Sequence, residues 1–92
     1  LPIIAFVQVR TNQHSINWTN KFTKAVTEMD EVVEFYRLSG TTDYLLKVLV
    51  PSIEKFDEFY KKLTNKIDLS DVTTSFSMEE IKQTSNLPLN YI

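Results

Sequence analysis

Gly40, the one glycine of this 92-residue chain, limits the folds open to it more than any other residue. It lies in the polar segment 39–43, between two runs rich in apolar side chains, residues 32–38 and 44–50. A chain this poor in glycine is expected to keep it where the backbone needs a positive φ or a close approach. Two strands joined by such a connection predict a β-hairpin, and its hydroxyl and carboxylate groups also suit a small-ligand loop.

The composition predicts one compact domain over residues 1–92. Hydrophobic residues make up 42% of the chain and aromatic residues 12%, which suffices for one modest core. Ten basic residues against twelve acidic ones argue against direct nucleic-acid contact, because phosphate binding needs clustered Lys and Arg. The absence of cysteine excludes disulfides and thiolate metal sites and fits a cytoplasmic protein. No apolar run is long enough to span a bilayer, so we expect no membrane partner.

Hydrophobic spacing predicts a β-α-β-β-α-β order. Strands are expected over residues 3–10, 32–38, 44–50 and 72–78, where β-branched and aromatic residues dominate. Ser15 and Ser52 are expected to cap the two intervening helices. Apolar residues three and four apart form one face of each helix, and Phe59 broadens the second face: Trp18, Phe22, Ala25 and Met29, then Ile53, Phe56, Tyr60, Leu63 and Ile67. This order is that of an α+β, ferredoxin-like sandwich, and the tail 82–92 is expected to be an extended arm.

One face of the predicted sheet has no layer to cover it. Alternation places one set of strand residues under the helices, and the opposite set is also apolar: Ile4, Phe6, Tyr36, Leu38, Leu45 and Leu49. A two-layer domain covers only one sheet face, so we expect this face to pair with a second copy. The alternative is that these are ordinary scattered surface residues.

Two stretches, residues 34–51 and 72–88, resemble the C-terminal domain of Lrp/AsnC transcription regulators, also called the RAM domain. The likeness extends from residue 3 to about residue 89. It is most specific in Ser39-Gly40-x-x-Asp43-Tyr44-Leu45-Leu46 and in Glu79-Glu80-x-Lys82, whereas the first helix matches only in pattern.

The resemblance implies a dimer of the α+β barrel type with sheets facing each other, often assembled into tetramers, octamers or larger rings. It implies an amino acid or similar small effector where dimers meet, and no cofactor. Full-length members carry a preceding helix-turn-helix domain that binds DNA. Because this chain starts at Leu1 and lacks such a domain, we interpret it as a cut-out domain or a stand-alone RAM protein.

The predicted effector site centres on the glycine connection. A free amino acid carries a carboxylate and an ammonium at pH 7, so its site needs donors on one side and an acceptor on the other. Backbone N–H groups of Gly40, Thr41 and Thr42 are candidate donors, as in turn nests, and Asp43 is the nearest acceptor for the ammonium. Ser39 belongs to the same motif. Ordinary hairpin chemistry would explain the same residues without a ligand.

Three further residues are assigned to the effector site. Tyr36 is a candidate wall, and the resemblance places Thr74 and Ser75 near the same interface. Without a ligand, Thr74 and Ser75 are simply residues that favour strands.

Catalysis and metal binding are not expected from these residues. His14 is the only histidine and has no cysteine or second histidine to share a metal. Two alternatives remain open: a small dimeric α+β barrel enzyme of the monooxygenase or isomerase type, and an interaction-only RAM subunit that needs no effector. An internal cavity of roughly a few hundred Å³ would favour the enzyme.

Overall fold

The computed structural model describes residues 2–12, 14–66, 71–83 and 88. The elements follow in the order β1 (Ile3–Arg10), α1 (Ile16–Thr27), β2 (Val32–Arg37), β3 (Tyr44–Val50), α2 (Ile53–Lys66) and β4 (Asp71–Phe76). The strands form one antiparallel sheet in the order β2-β3-β1-β4, and the two helices cover one of its faces. The predicted ferredoxin-like α+β fold is confirmed.

The central strands match their predicted bounds, and the edge strands differ by one or two residues. β2 ends one residue before the predicted limit of 38. β4 covers 71–76 instead of 72–78: the last ladder pair joins Ala5 to Phe76, and the Ser77 N–H still donates to the Ile4 carbonyl at 2.9 Å before the chain leaves the sheet. Residues 77–83 form neither helix nor strand. Most of the predicted arm, residues 82–92, lies outside the described residues.

Both predicted N-caps are confirmed, but the first helix ends earlier than its apolar stripe indicated. The Ser15 hydroxyl accepts from the Trp18 N–H at 3.1 Å, and the Ser52 hydroxyl accepts from the Lys55 N–H at 3.2 Å. The prediction that Met29 lies on the helical face was wrong, since α1 ends at Thr27. Met29 still reaches the core from the following turn, in which its N–H donates to the Val26 carbonyl.

The core lies between the helices and the inner faces of β1 and β3. In the second helix, Phe56, Phe59 and Leu63 are buried as predicted, whereas Ile53 is 51% exposed. Ile53 is the first residue of α2, so it lies before the turn that contacts the sheet. The remaining predicted residue, Ile67, falls outside the described residues. The buried strand residues are Ala5, Val7, Val9, Tyr44, Leu46, Val48 and Val50. None of the helices in the described ranges is long and apolar enough to cross a membrane.

Candidate functional site

The connection between β2 and β3, residues 38–43, is a tight loop that we call the glycine loop. The Leu38 N–H donates to the Asp43 carbonyl at 2.8 Å and closes it. Gly40 has a φ of +117°, a value that residues with a side chain rarely adopt. A Cβ placed on Gly40 would meet nothing within 4 Å. The loop therefore needs glycine for its backbone conformation rather than for space.

Gly40→Ala should destabilise the domain by about 1–3 kcal/mol through backbone strain. Urea denaturation followed by circular dichroism would measure the loss. Ser39→Ala, at the exposed neighbouring position, is the control and should change stability little. Equal stability of the two variants would contradict this account of the loop.

Asp43 anchors the glycine loop to the end of β1. Its Oδ2 atom accepts a hydrogen bond from the Thr11 N–H at 2.8 Å, and its own N–H donates to the Val9 carbonyl at 2.9 Å. Thr11 is buried, with 6% of its surface exposed. A hydrogen bond between an N–H and a carboxylate is stronger than one between neutral groups. Asp43 therefore has a structural role beside any role toward a ligand.

A cavity of about 390 Å³ opens beside this anchor, and we call it the loop-end cavity. It lies where the end of β1, the glycine loop and the start of β4 meet. Arg10 and Asp71 are cross-strand partners on its wall, with 3.9 Å between the guanidinium Nη1 and the carboxylate Oδ2. The lining residues are Arg10, Thr11, Asn12, Gly40, Thr41, Asp43 and Asp71. The cavity thus combines backbone and side-chain donors with two carboxylates.

The structure gathers three of the eight predicted site residues in this cavity: Gly40, Thr41 and Asp43. Ser39 is exposed and Thr42 half-buried in the same loop, and neither lines the cavity. Their contact with an effector stays a prediction.

Thr74, Ser75 and Tyr36 lie elsewhere on the sheet. Thr74 is paired with Val7 on the helix side, whereas Ser75 is paired with Phe6 on the opposite face. Successive strand residues point to opposite faces, so one chain cannot direct both hydroxyls at the same ligand. Tyr36 lies beside Leu45 on the face without helices. For these three residues too, contact with an effector stays a prediction.

Four lining residues were missed from the sequence: Arg10, Thr11, Asn12 and Asp71. Their positions at the end of the first strand and the start of the fourth gave no local pattern. In the ferredoxin-like order, however, β1 pairs with both β3 and β4, so the end of β1 adjoins the loop that precedes β3. The fold prediction itself could have drawn attention to these residues.

The sheet face opposite the helices, which we call the open face, carries apolar and charged groups together. Leu49 is 40% exposed and Tyr36 49% exposed, and Ile4, Phe6 and Leu45 are half-buried. Within it, Glu34 accepts from the Tyr36 hydroxyl at 2.9 Å and lies 3.6 Å from the Lys47 ammonium. The hydrogen bond to the Glu34 carboxylate raises the pKa of Tyr36 above its ordinary value.

The ionisable residues outside the cavity do not form a metal site in the described parts of the chain. No group of three or more His, Cys, Asp or Glu is close enough to hold an ion there. His14, Glu79 and Glu80 are exposed.

Comparison with known proteins assigns the family. The profile of the Lrp/AsnC ligand binding domain matches residues 4–87. The chain belongs to the Lrp/AsnC family. A curated relative, the DNA-binding transcriptional activator DecR of Escherichia coli K12, is 49% identical over 90 residues, which cover 97% of this chain and 59% of DecR. This Lrp/AsnC domain therefore spans little more than half the length of that relative.

Solved structures agree with this assignment. An AsnC family transcriptional regulator from Agrobacterium tumefaciens superposes with a TM-score of 0.90 at 51% identity, over 98% of this chain and 59% of that one. A transcriptional regulator from Neisseria meningitidis, solved as a complex with L-methionine, gives a TM-score of 0.87 at 31% identity, over 97% and 58% of the two chains. The chain is thus a ligand-binding domain of the Lrp/AsnC type.

Proposed function

We propose that this domain senses an amino acid for a cytoplasmic transcription regulator, by pairing through its open face and binding the effector where dimers meet. The observation that carries the proposal is the loop-end cavity. Arg10 and the backbone of Gly40 and Thr41 supply donors for a carboxylate, and Asp43 and Asp71 supply acceptors for an ammonium. This is the set of groups that a zwitterion requires.

The position of the cavity links binding to assembly. Arg10 follows Val9, and Asp71 precedes Val72; both valines face the helices. Arg10 and Asp71 therefore point to the open-face side at the end of the sheet. If two open faces pair, the cavity lies at the rim of the interface and is open to further subunits. An effector bound there would favour whichever assembly offers it more contacts.

A role as a regulator is better supported than a role as an enzyme. An enzyme of the α+β barrel type would hold its substrate between sheet and helices, where this domain packs aromatic rings. Phe22 lies 5.0 Å from Trp18, 4.9 Å from Tyr44 and 5.8 Å from Phe35, measured between ring centroids. The protein from Neisseria meningitidis that is similar to this domain is a transcriptional regulator and binds L-methionine. We propose that DNA is contacted through a separate upstream domain, since this chain has a net charge of −2.

Asp43→Asn tests the binding role. The asparagine oxygen can still accept from the Thr11 N–H, but the negative charge that would hold an ammonium is lost. We expect amino acids to raise the melting temperature of the wild-type chain and to change the mass of its assembly. We expect the variant to bind them at least about tenfold more weakly. Thermal melts and sedimentation measure the first two effects, and isothermal titration calorimetry over the twenty amino acids measures the affinities.

Asp30→Asn, at an exposed position in the turn before β2, is the matched control and should bind like the wild type. A dimer that responds to no amino acid would favour the interaction-only subunit. A monomer that responds to none would contradict the proposal as a whole.

A further inference from the structure

The charges that line the loop-end cavity are unequal. Arg10 is the cation of the described lining, and Asp43 and Asp71 supply two carboxylates. The other lining residues are polar or glycine. The cavity therefore has a formal charge of −1, and none of its described walls carries a large apolar side chain.

The contact between Arg10 and Asp71 is weak enough to be exchanged for a ligand. Their nearest charged atoms are 3.9 Å apart, and the two side chains are 61% and 55% exposed. Exposed pairs of this kind contribute little to stability. The Arg10 guanidinium can thus turn to a ligand carboxylate at small cost, which leaves the Asp71 carboxylate available to a ligand cation. Asp43, in contrast, stays fixed by the Thr11 N–H.

We infer that the effector is a basic amino acid, and that acidic amino acids are rejected. The inference rests on the proposed function and adds the chemical class of the effector. The carboxylate of the effector replaces Asp71 as the partner of Arg10. The α-ammonium of the effector pairs with Asp43, and its side-chain cation pairs with Asp71. A zwitterion with a neutral side chain leaves the cavity at −1, whereas a basic amino acid neutralises it. An acidic side chain would meet two aspartates.

Ornithine, glutamine and glutamate are suitable probes, because they have similar lengths and side-chain charges of +1, 0 and −1. Calorimetric titration of the 92-residue chain at pH 7 and low salt should give affinities that fall about fivefold at each step, from ornithine to glutamine to glutamate. That factor corresponds to one exposed charge pair at about 4 Å. Asp71→Asn should remove the preference for ornithine over glutamine and improve the binding of glutamate.

Glu58→Gln is the matched control. Glu58 forms a similarly exposed pair with Lys55 on α2, at 3.2 Å, and its replacement changes the net charge of the chain by the same amount. This variant should keep the wild-type order of affinities. Thermal melts of both variants establish that they are folded.

Glutamate binding as tightly as ornithine, or equal effects of Asp71→Asn and Glu58→Gln, would overturn the inference. The proposed function would survive that result if another amino acid binds and Asp43→Asn weakens it. If no amino acid binds at all, both are overturned.

Discussion

Leu49→Asp is expected to convert a dimer of this chain into a monomer. Leu49 pairs with Ile4 across β1 and β3, and 40% of its surface is exposed on the open face. Burying an unpaired carboxylate between two such faces would raise the dissociation constant by about 100-fold or more. The fold itself should tolerate the change, because the same carboxylate is solvated in the monomer.

Sedimentation velocity measures this effect directly. The wild-type chain should sediment with twice its mass of 10.7 kDa, and Leu49→Asp with the monomer mass at micromolar concentration. Ile16→Asp is the control, since Ile16 is 78% exposed on α1, on the other side of the sheet, and should leave the dimer intact. A Leu49→Asp chain that associates as strongly as the wild type would show that copies meet through another surface.

Phe22→Ala is expected to cost about 3–5 kcal/mol of unfolding free energy, a large part of the stability of a domain this size. Phe22 is fully buried, and its ring stacks on Trp18 and contacts Tyr44 and Phe35. Removing it leaves a cavity between α1 and the sheet that rigid neighbours can fill only in part.

Urea denaturation at one fixed protein concentration measures this loss, because unfolding of a dimer depends on concentration. Ile16→Ala serves as the control in the same helix and should change stability by less than about 0.5 kcal/mol. A loss below about 1.5 kcal/mol for Phe22→Ala would mean that the aromatic cluster contributes less than its burial implies.

The fold was predictable because the hydrophobic periodicity is strong in both the strands and the helices. The alternation in β1 and β3 predicted the buried set, and the spacing of Phe56, Tyr60 and Leu63, broadened by Phe59, predicted the inner face of α2, on which Tyr60 is half-buried. The errors fell at the ends of elements, in the bounds of the edge strands β2 and β4 and at the ends of the helices. Met29 and Ile53 fit the helical spacing, but spacing does not indicate where the backbone turns away or where the helix first meets the sheet.

The candidate site was predictable only in part. Gly40 and Asp43 stand out in the sequence because one is the sole glycine and the other ends the polar connection. Arg10 and Asp71 are 61 positions apart and meet only because β1 and β4 pair. Local sequence patterns cannot show such a contact, and they also cannot show that Thr74 and Ser75 point to opposite faces until the strand is placed in the sheet.

The central claim is that two copies pair through their open faces. Isotope-filtered nuclear Overhauser spectroscopy on a mixture of labelled and unlabelled chains tests it most directly, since it detects contacts between copies only. We predict cross-copy contacts from the methyl groups of Leu45 and Leu49 to open-face side chains such as Ile4 and Phe6. Cross-copy contacts confined to α1 and α2, at a concentration where the dimer mass is observed, would contradict the claim.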